Sequence, residues 1–478
     1  MSTFSEVKPT LNVLSPEQIE QTHKYTLEIL STVGVRVDSE KARYLFAGAE
    51  GAKVEENGRV FLNSELVEWG IQSAPSSIEI YDRLGNLAFR LGDDRTRFGA
   101  GVTNLYYQDP ETDDVTQFTR GHMESSVRLV HALKNFDVVS TIGIIQDYSP
   151  DVADLFASLE MVANTTKPLV MLVSDENLFP DVLGLLGQLH DDLASRPFVI
   201  PYFNPITPLI LNEGTADKMI ESIEHGLPLI FSNYSMAGMS TPITPAGTLA
   251  ILNAELLAGL VFSQLVKEGA PIILGSLPIF FDMRTMLDYF DPLTYLLNLA
   301  CAEIMTHYKI PHAGTSGSGV GLASDIVASG ALWANQITSI IGRVGLAPFV
   351  GSSLGSIAFS PSLTVYANEV IDQSLRFSRG FSLSDETIVM NDIAQAGPGG
   401  SFVTSESTLE MVREMYYGSD IFPRMSLEKW QAQGKPTNDK YLREYTRHLL
   451  NSVQAPEDHD ELVAKGEIYI SEITKGLM

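Results

Sequence analysis

Aromatic side chains recur just after short apolar runs of this chain, where parallel-strand proteins carry their binding sites. A ring face attracts a cation, and each contact is worth about 0.5–2 kcal/mol once water is excluded. Because these positions hold many rings and amides but few Lys or Arg side chains, we expect them to bind a small cation. The candidate rings are Tyr148, Phe203, Tyr234, Phe280 and Phe281, together with Tyr106 after a glycine-rich turn.

Hydrogen-bonding side chains at the same positions could hold a polar or anionic group of such a ligand. For His312, a buried structural role explains the residue equally well. We expect Arg284 to form a structural ion pair rather than to bind a ligand. The candidates for hydrogen bonding are Asn204, Asn233, His312, Arg97, Ser316 and Ser318.

Several other chemistries lack their sequence patterns. The nine histidines form no HExxH pair and no Cys/His cluster exists, so we expect no zinc site. The glycine-rich stretch 314–319 is better explained as a tight turn than as a phosphate loop. The single cysteine, Cys301, lies in the apolar stretch 296–304 and is expected to be buried and unreactive.

Two other functional classes remain open. A lyase or hydrolase could use Asp147, Asp175 or Glu176 as a general base, and a pH–rate profile that reports such a group would favour it. A non-catalytic amine-binding protein would bind the cation and leave it unchanged. Fold alone does not choose between these classes.

The elements that must position these residues are strands of a parallel sheet. Short apolar runs rich in β-branched residues alternate with amphipathic helical stretches such as 253–267, a pattern typical of buried parallel strands. Seven such runs over some 250 residues predict an α/β protein with a closed (β/α)8 TIM barrel, and an open doubly wound sheet is the alternative. The runs span 138–145, 168–173, 197–203, 228–231, 271–275, 310–313 and 346–350.

The barrel is expected to occupy residues 126–381. Residues 1–125 begin with a helix capped at Ser15 and Pro16 and continue as short mixed segments, which predict an N-terminal cap packed on the barrel. Residues 382–478 are polar and helical in pattern, and we expect a C-terminal helical extension.

The net charge of −27, from 32 Lys and Arg against 59 Asp and Glu, opposes binding to nucleic acid or to an anionic membrane. The N-terminus shows no signal peptide, and no run of 18 apolar residues predicts a membrane span. With one cysteine the chain has no internal disulfide, so we expect a cytoplasmic protein. We also expect a homo-oligomer.

Several segments together resemble the trimethylamine methyltransferase (MttB) family. Asp-Pro-Glu-Thr at 109–112 is similar to the family's D-x-E-T-G segment, with Asp113 in place of the glycine. The shared order of the motifs runs from about residue 100 to beyond residue 400. The other matching segments are 164–169, 204–209, 242–247, 253–259 and 397–402.

The resemblance implies a barrel that offers a methylated amine to the Co(I) of a corrinoid carried by a separate protein, with no metal bound by this chain. Members acting on trimethylamine carry pyrrolysine after the sixth strand, in a D-x-Q-A-G-O pattern. Here Asp325 matches the aspartate, Val327 replaces the glutamine and Gly330 replaces the pyrrolysine. The resemblance therefore points away from trimethylamine.

A quaternary ammonium releases a neutral amine on direct displacement and needs neither an acid nor a metal. Orientation of the amine toward cobalt can then supply about 7–11 kcal/mol. We therefore expect a quaternary amine as substrate, with glycine betaine favoured because related members without pyrrolysine act on it. Asn204 and Gly330 are expected to position the amine, and no residue is expected to act covalently or as an acid or base.

Overall fold

The protein is described by a computed structural model covering residues 5–190, 192–315 and 317–475. Eight parallel strands form its centre, numbered here in chain order. They are β1 (Arg97–Ala100), β2 (Val138–Ser140), β3 (Leu169–Met171), β4 (Val199–Phe203), β5 (Leu229–Ala237), β6 (Ile272–Asp282), β7 (His312–Gly314) and β8 (Leu346–Val350).

Each strand is followed by a helix of the outer ring, and most helices begin with a proline or a side-chain cap that fixes the first turn. The ring consists of α1 (Arg120–Ala132), α2 (Pro150–Asn164), α3 (Phe179–Leu189), α4 (Glu213–Glu224), α5 (Pro245–Val266), α6 (Pro292–Tyr308), α7 (Ile326–Ile341) and α8 (Pro361–Arg379).

The sheet closes on itself, so the predicted TIM barrel is confirmed and the open-sheet alternative is wrong. β1 pairs with β2 on one side and with β8 on the other, and β5 pairs with β6 from Leu229–Ile272 to Ala237–Phe280. All seven apolar runs that predicted strands overlap one.

The first barrel strand lies earlier in the chain than the sequence indicated. Arg97–Ala100 was expected to belong to the N-terminal cap of residues 1–125, yet it is β1. The strand is only four residues long and starts with a charged side chain, so it lacks the apolar run that marks the others. The N-terminal boundary of the barrel therefore moves from residue 126 to Arg97.

A hairpin of two strands, Ile78–Tyr81 and Leu87–Leu91, closes the N-terminal end of the barrel. Its inward side chains, including Ile80 and Phe89, form one buried cluster with Val138, Val170 and other residues of the barrel interior. The backbone N–H of Tyr81 donates to the carbonyl of Pro197, which precedes β4. The barrel is consequently open only at its C-terminal end.

The remaining elements surround the barrel at both chain ends. The strand Ser5–Val7 pairs with Phe381–Leu383, and Ile210–Leu211 joins an N-terminal sheet. The N-terminal elements are helices Pro16–Glu28, Glu40–Ala47 and Ser64–Ser73, the π-helical turn Ile29–Val33, and strands Val35–Val37, Ala52–Val54 and Arg59–Leu62. Short elements near the barrel ends are strands Tyr106–Gln108, Val115–Gln117, Leu287–Tyr289, Ser352–Ser353 and Ala358–Phe359, and the 3-10 turn Glu176–Leu178. The C-terminal helices are Asp385–Ile388, Met390–Ala396, Glu406–Met415, Leu427–Ala432, Asn438–Ser452 and His459–Ile473.

Helix α5 is long and apolar because both of its faces are covered. It is the one helix in the described part of the chain with the length and composition of a membrane span, but most of it is buried inside the protein. Gly259 lies against the Phe231 ring of β5, and a Cβ there would collide with that ring. This close approach explains a glycine in the middle of a helix.

Candidate functional site

The inner face of the barrel follows from the alternation of side chains along each strand. Ile230 of β5 and Ile273 of β6 belong to the interior cluster, so Tyr234 and Leu277, an even number of residues further along, point to the same side. In β4, Ile200 and Tyr202 are interior, which puts Asn204 on the inner side as well. The open end of the barrel, called the mouth below, is lined by this face.

Two buried rings form the floor of the mouth. Tyr202 and Phe349 pack edge to face with ring centroids 5.0 Å apart at 78°. The Asn204 amide donates to the Tyr202 hydroxyl at 3.3 Å and to the Ser232 carbonyl at 2.7 Å, which fixes its orientation above the floor. Burial raises the pKa of Tyr202 to about 12, so its hydroxyl stays neutral.

One wall of the mouth is a hairpin that extends β6 beyond the barrel. The short strand Leu287–Tyr289 pairs antiparallel with the end of β6 and sets Asp288 opposite Phe281. Opposed residues of paired strands lie on one face, so Asp288 shares the inner side with Phe281, Leu277 and Tyr234. Burial and the Asp288 carboxylate together raise the pKa of Tyr234, in keeping with their proximity. The mouth thus combines two rings with one carboxylate.

Three candidates selected from the sequence point away from the mouth. Phe203 packs edge to face on Phe179 between the barrel and its helices, with ring centroids 5.5 Å apart. Asn233 donates to Glu255 Oε2 at 3.0 Å and to the Leu252 carbonyl at 2.9 Å, both on α5. Phe280 packs against the same outer core. Each is the strand neighbour of an inner residue, so alternation turns it outward and its predicted binding role does not fit.

The Tyr148 ring is already in contact with a cationic side chain of the protein, that of Arg120. The Arg120 guanidinium lies 5.8 Å from the Tyr148 ring centroid and 4.7 Å from that of Phe156. Arg120 also donates to the Tyr148 hydroxyl at 3.2 Å and to Glu160 at 2.7 Å. This ring therefore fixes an internal ion pair outside the barrel and is not free for a ligand.

His312 and Arg97 are also displaced from the mouth. His312 is buried on the outer side of β7, burial lowers its pKa to about 3, and neither ring nitrogen has a partner among the described residues. Arg97 stands at the closed end, where it pairs with Asp93 at 2.8 Å and lies over the Phe89 ring. Neither can donate to a ligand at the open end.

The remaining candidates, Tyr106, Gly330 and Ser318, lie in segments that follow the barrel strands. Tyr106 is exposed on the rim after β1. Gly330 is exposed on α7, where a Cβ would meet nothing within 4 Å; with β1 counted, this helix follows the seventh strand and not the sixth. The Ser318 hydroxyl bonds that of Ser356 at 3.0 Å, and Ser316 lies outside the described residues.

The structure also tests the predicted ion pair of Arg284 and the predicted burial of Cys301. The side chain of Arg284 is exposed and forms no ion pair with any described residue, so the predicted structural pair is wrong. Cys301 is buried as predicted, and burial raises the pKa of its thiol to about 12.

The three carboxylates considered as general bases contact nearby backbone or charged groups and do not face the mouth. Asp147 accepts the backbone N–H of Arg120 at 2.9 Å, and Asp175 caps the turn Glu176–Leu178 by accepting the Asn177 N–H at 2.9 Å. Glu176 is exposed and lies near Lys218. None of the three belongs to the inner strand face, so the structure offers no support for them as bases in the mouth.

Glu255 joins two of the resembling segments, 204–209 and 253–259, into one cluster behind Asn204. Its carboxylate accepts the Leu209 N–H at 2.6 Å, the Thr207 hydroxyl at 3.0 Å and the Asn233 amide at 3.0 Å. Burial raises the pKa of Glu255 to about 7 against the effect of these donors. The cluster anchors the chain that leaves β4 and so supports the position of Asn204.

Sequence reasoning missed Asp288, Tyr202 and Phe349. Tyr202 was within reach, since it is two residues before Asn204 and must share its face. Asp288 carries no such signal, because the hairpin that folds it back over the mouth has no distinctive turn sequence. Phe349 lies within the irregular stretch of β8 between Ala347 and Val350, where the pairing register shifts and the alternation is broken.

Fold and site together define a (β/α)8-barrel protein with aromatic and acidic side chains at its open end. The family model described as trimethylamine methyltransferase (MTTB) matches residues 1–472. The chain therefore belongs to this family of methyltransferases, as the resemblance predicted.

Individual relatives are distant but match over nearly the whole length. The chain is 26% identical to the glycine betaine methyltransferase of Desulfitobacterium hafniense strain Y51, over 98% of each protein. It is 28% identical to the trimethylamine methyltransferase MttB of D. hafniense strain DCB-2, over 88% of this chain and 85% of that protein. The crystal structure of Methanosarcina barkeri monomethylamine methyltransferase (MtmB) is 8% identical and superposes with a TM-score of 0.50, covering 96% and 88% of the two chains, which shows a shared fold.

Proposed function

We propose that this chain removes a methyl group from a small quaternary amine and transfers it to the Co(I) of a corrinoid held by a separate partner protein. Glycine betaine is the first candidate substrate, and dimethylglycine the corresponding product. The observation that carries the proposal is the composition of the mouth: Tyr234 and Phe281 face inward beside Asp288, and the described strands place no Lys or Arg on the inner face above Arg97. Rings and a carboxylate suit a permanent cation.

The reaction that follows from such a site is a direct displacement. The Co(I) electron pair forms the new bond to the methyl carbon, while the carbon–nitrogen bond breaks and leaves its electrons on nitrogen. The product amine is neutral, so no proton has to be supplied. The residues of the mouth then only have to hold the ammonium with one methyl group directed outward, and Asn204 above its ring floor supplies a fixed polar contact.

A partner must approach the mouth, and several large apolar side chains are exposed around it. Large hydrophobic side chains are exposed in loops that follow several different strands, which is typical of a protein-binding surface. We propose that the corrinoid protein docks on this rim. The rim includes Leu105, Ile206, Met239, Met283, Leu287 and Leu322.

The direct test is methyl transfer to Co(I) cobalamin, followed by the absorbance of methylcobalamin. We expect methylated cobalt to accumulate with glycine betaine or another quaternary amine and not with trimethylamine. A control without protein measures the uncatalysed transfer. Preference for trimethylamine would contradict the proposal, and binding of quaternary amines without any transfer would indicate an amine-binding protein instead.

A further inference from the structure

Asp288 reaches over the mouth from the hairpin that extends β6. Its carboxylate approaches the loop after β8, where a Cβ on Gly355 would lie 3.3 Å from Asp288 Oδ1. The next ring along the chain, Phe290, approaches Gly319 in the loop after β7. The hairpin therefore leans toward the loops of two other strands and holds Asp288 at the entrance.

Among the described residues, no side chain forms an ion pair or a hydrogen bond with this carboxylate. Asp288 is half-buried, and burial raises the pKa of its carboxyl group. Removing a charge from water without a partner is costly, so the position has an electrostatic deficit that a bound cation would relieve.

The nearest cationic side chain in sequence does not fill this role. Arg284 lies at the tip of the same hairpin, where its backbone N–H donates to Asp282 at 2.9 Å and its side chain is exposed. Asp282 faces the opposite side of the hairpin from Asp288, because it pairs with Leu287 and not with Phe281. The two aspartates on one hairpin thus have different surroundings.

We infer that Asp288 is the counter-ion that recognises the ammonium group of the substrate, and that a ligand of net positive charge gains more affinity from it than glycine betaine does. The inference rests on the proposed function for the identity of the ligand. It goes beyond it by assigning charge selection to one residue. Tyr234 and Phe281 attract the ammonium group through their ring faces, while Asp288 adds an opposite full charge.

The inference is tested by calorimetric binding of two ligands that differ only in charge. Choline carries the ammonium nitrogen, and dimethylbutanol is its uncharged carbon isostere. We expect the wild-type protein to bind choline at least about tenfold more tightly than dimethylbutanol. Asp288→Asn should reduce this difference to the part that the rings supply by weakening choline alone, and Asp288→Glu should restore part of the loss.

Asp282→Asn is the matched control, because it removes the same charge from the other face of the hairpin. The inference would be overturned if this control weakened choline binding as much as Asp288→Asn, since the general acidity of the protein would then be responsible. It would also be overturned by an equal loss for choline and dimethylbutanol, which indicates a disturbed mouth, or by a wild-type protein that does not distinguish them.

Glycine betaine separates the inference from the proposed function. Its carboxylate opposes Asp288, so Asp288→Asn should lower the choline to glycine betaine affinity ratio by about tenfold. If the ratio falls but no quaternary amine methylates Co(I) cobalamin, charge recognition holds and the proposed reaction fails. If methyl transfer occurs and the ratio is unchanged, the reaction holds and the role of Asp288 is wrong.

Discussion

At the scale of single residues, adjacent positions on one strand serve opposite sides of the barrel. Asn204 and Tyr234 face the mouth, while their neighbours Phe203 and Asn233 face the helices. Residue type alone does not distinguish them, since a ring or an amide is useful on either side. What distinguishes them is the two-residue period of a strand, counted from one position of known direction.

The Tyr234 ring gives the first prediction. Replacement by alanine removes a ring face from the mouth and should weaken the binding of a quaternary amine by about 2- to 30-fold, the range expected for one cation–π contact. Tyr234→Phe keeps the ring face and should bind nearly as the wild type does. Calorimetry on all three proteins measures the effect.

Tyr289→Ala is the control for this prediction, because Tyr289 is an exposed ring on the same hairpin that pairs with the outward Phe280. Its removal should leave amine affinity unchanged. Equal binding by Tyr234→Ala and the wild type would show that the ligand lies elsewhere.

At the scale of elements, Glu255 connects α5 to the chain that leaves β4. Folding raises its pKa from 4.5 to about 7, so the folded state holds this proton more tightly than the unfolded state between those values. Stability contributed by this group is therefore fully present at low pH and is lost as pH rises toward 7. The loss is on the order of 3 kcal/mol.

We predict that Glu255→Gln flattens this dependence, because glutamine keeps the shape and has no proton to lose. Thermal unfolding at pH 5 and pH 8 should show a smaller change for Glu255→Gln than for the wild type. Glu56→Gln, at an exposed position, should retain the wild-type dependence. A wild-type dependence in Glu255→Gln would mean that the buried carboxyl does not titrate in this interval.

The elements themselves were predictable to different degrees. Seven strands could be found because a buried parallel strand is a continuous apolar run, as in 197–203 and 346–350. β1 could not, because Arg97 begins it and its glycine at 99 packs against Val138 and Pro348, where no larger side chain fits. The hairpin that carries Asp288 is set by tertiary packing over the mouth, which no local pattern of the sequence reports.

At the scale of the whole molecule, exposed apolar side chains occur in several loops at the open end of a strongly acidic protein. Transfer to free Co(I) cobalamin needs only the mouth, whereas transfer to a corrinoid protein also needs the rim. We predict that Met283→Glu slows methyl transfer to a cognate corrinoid protein by about tenfold or more, since a charge replaces an apolar contact. Transfer to free cobalamin should be nearly unchanged.

Met390→Glu is the matched control, because Met390 is also exposed but lies in the C-terminal helix Met390–Ala396. It should affect neither acceptor. A parallel loss with both acceptors in Met283→Glu would point to damage in the mouth and would argue against the rim as the docking surface.

The hairpin Ile78–Tyr81 and Leu87–Leu91 closes the N-terminal end of the barrel, so the interior can be reached only through the mouth. Under the proposed reaction, the same opening has to admit the amine and the methyl acceptor and to release the demethylated product. The amine has to enter before the acceptor arrives, and its product leaves only after the acceptor departs. Closure of the N-terminal end therefore predicts an ordered kinetic mechanism, in which the amine binds first and its product is released last.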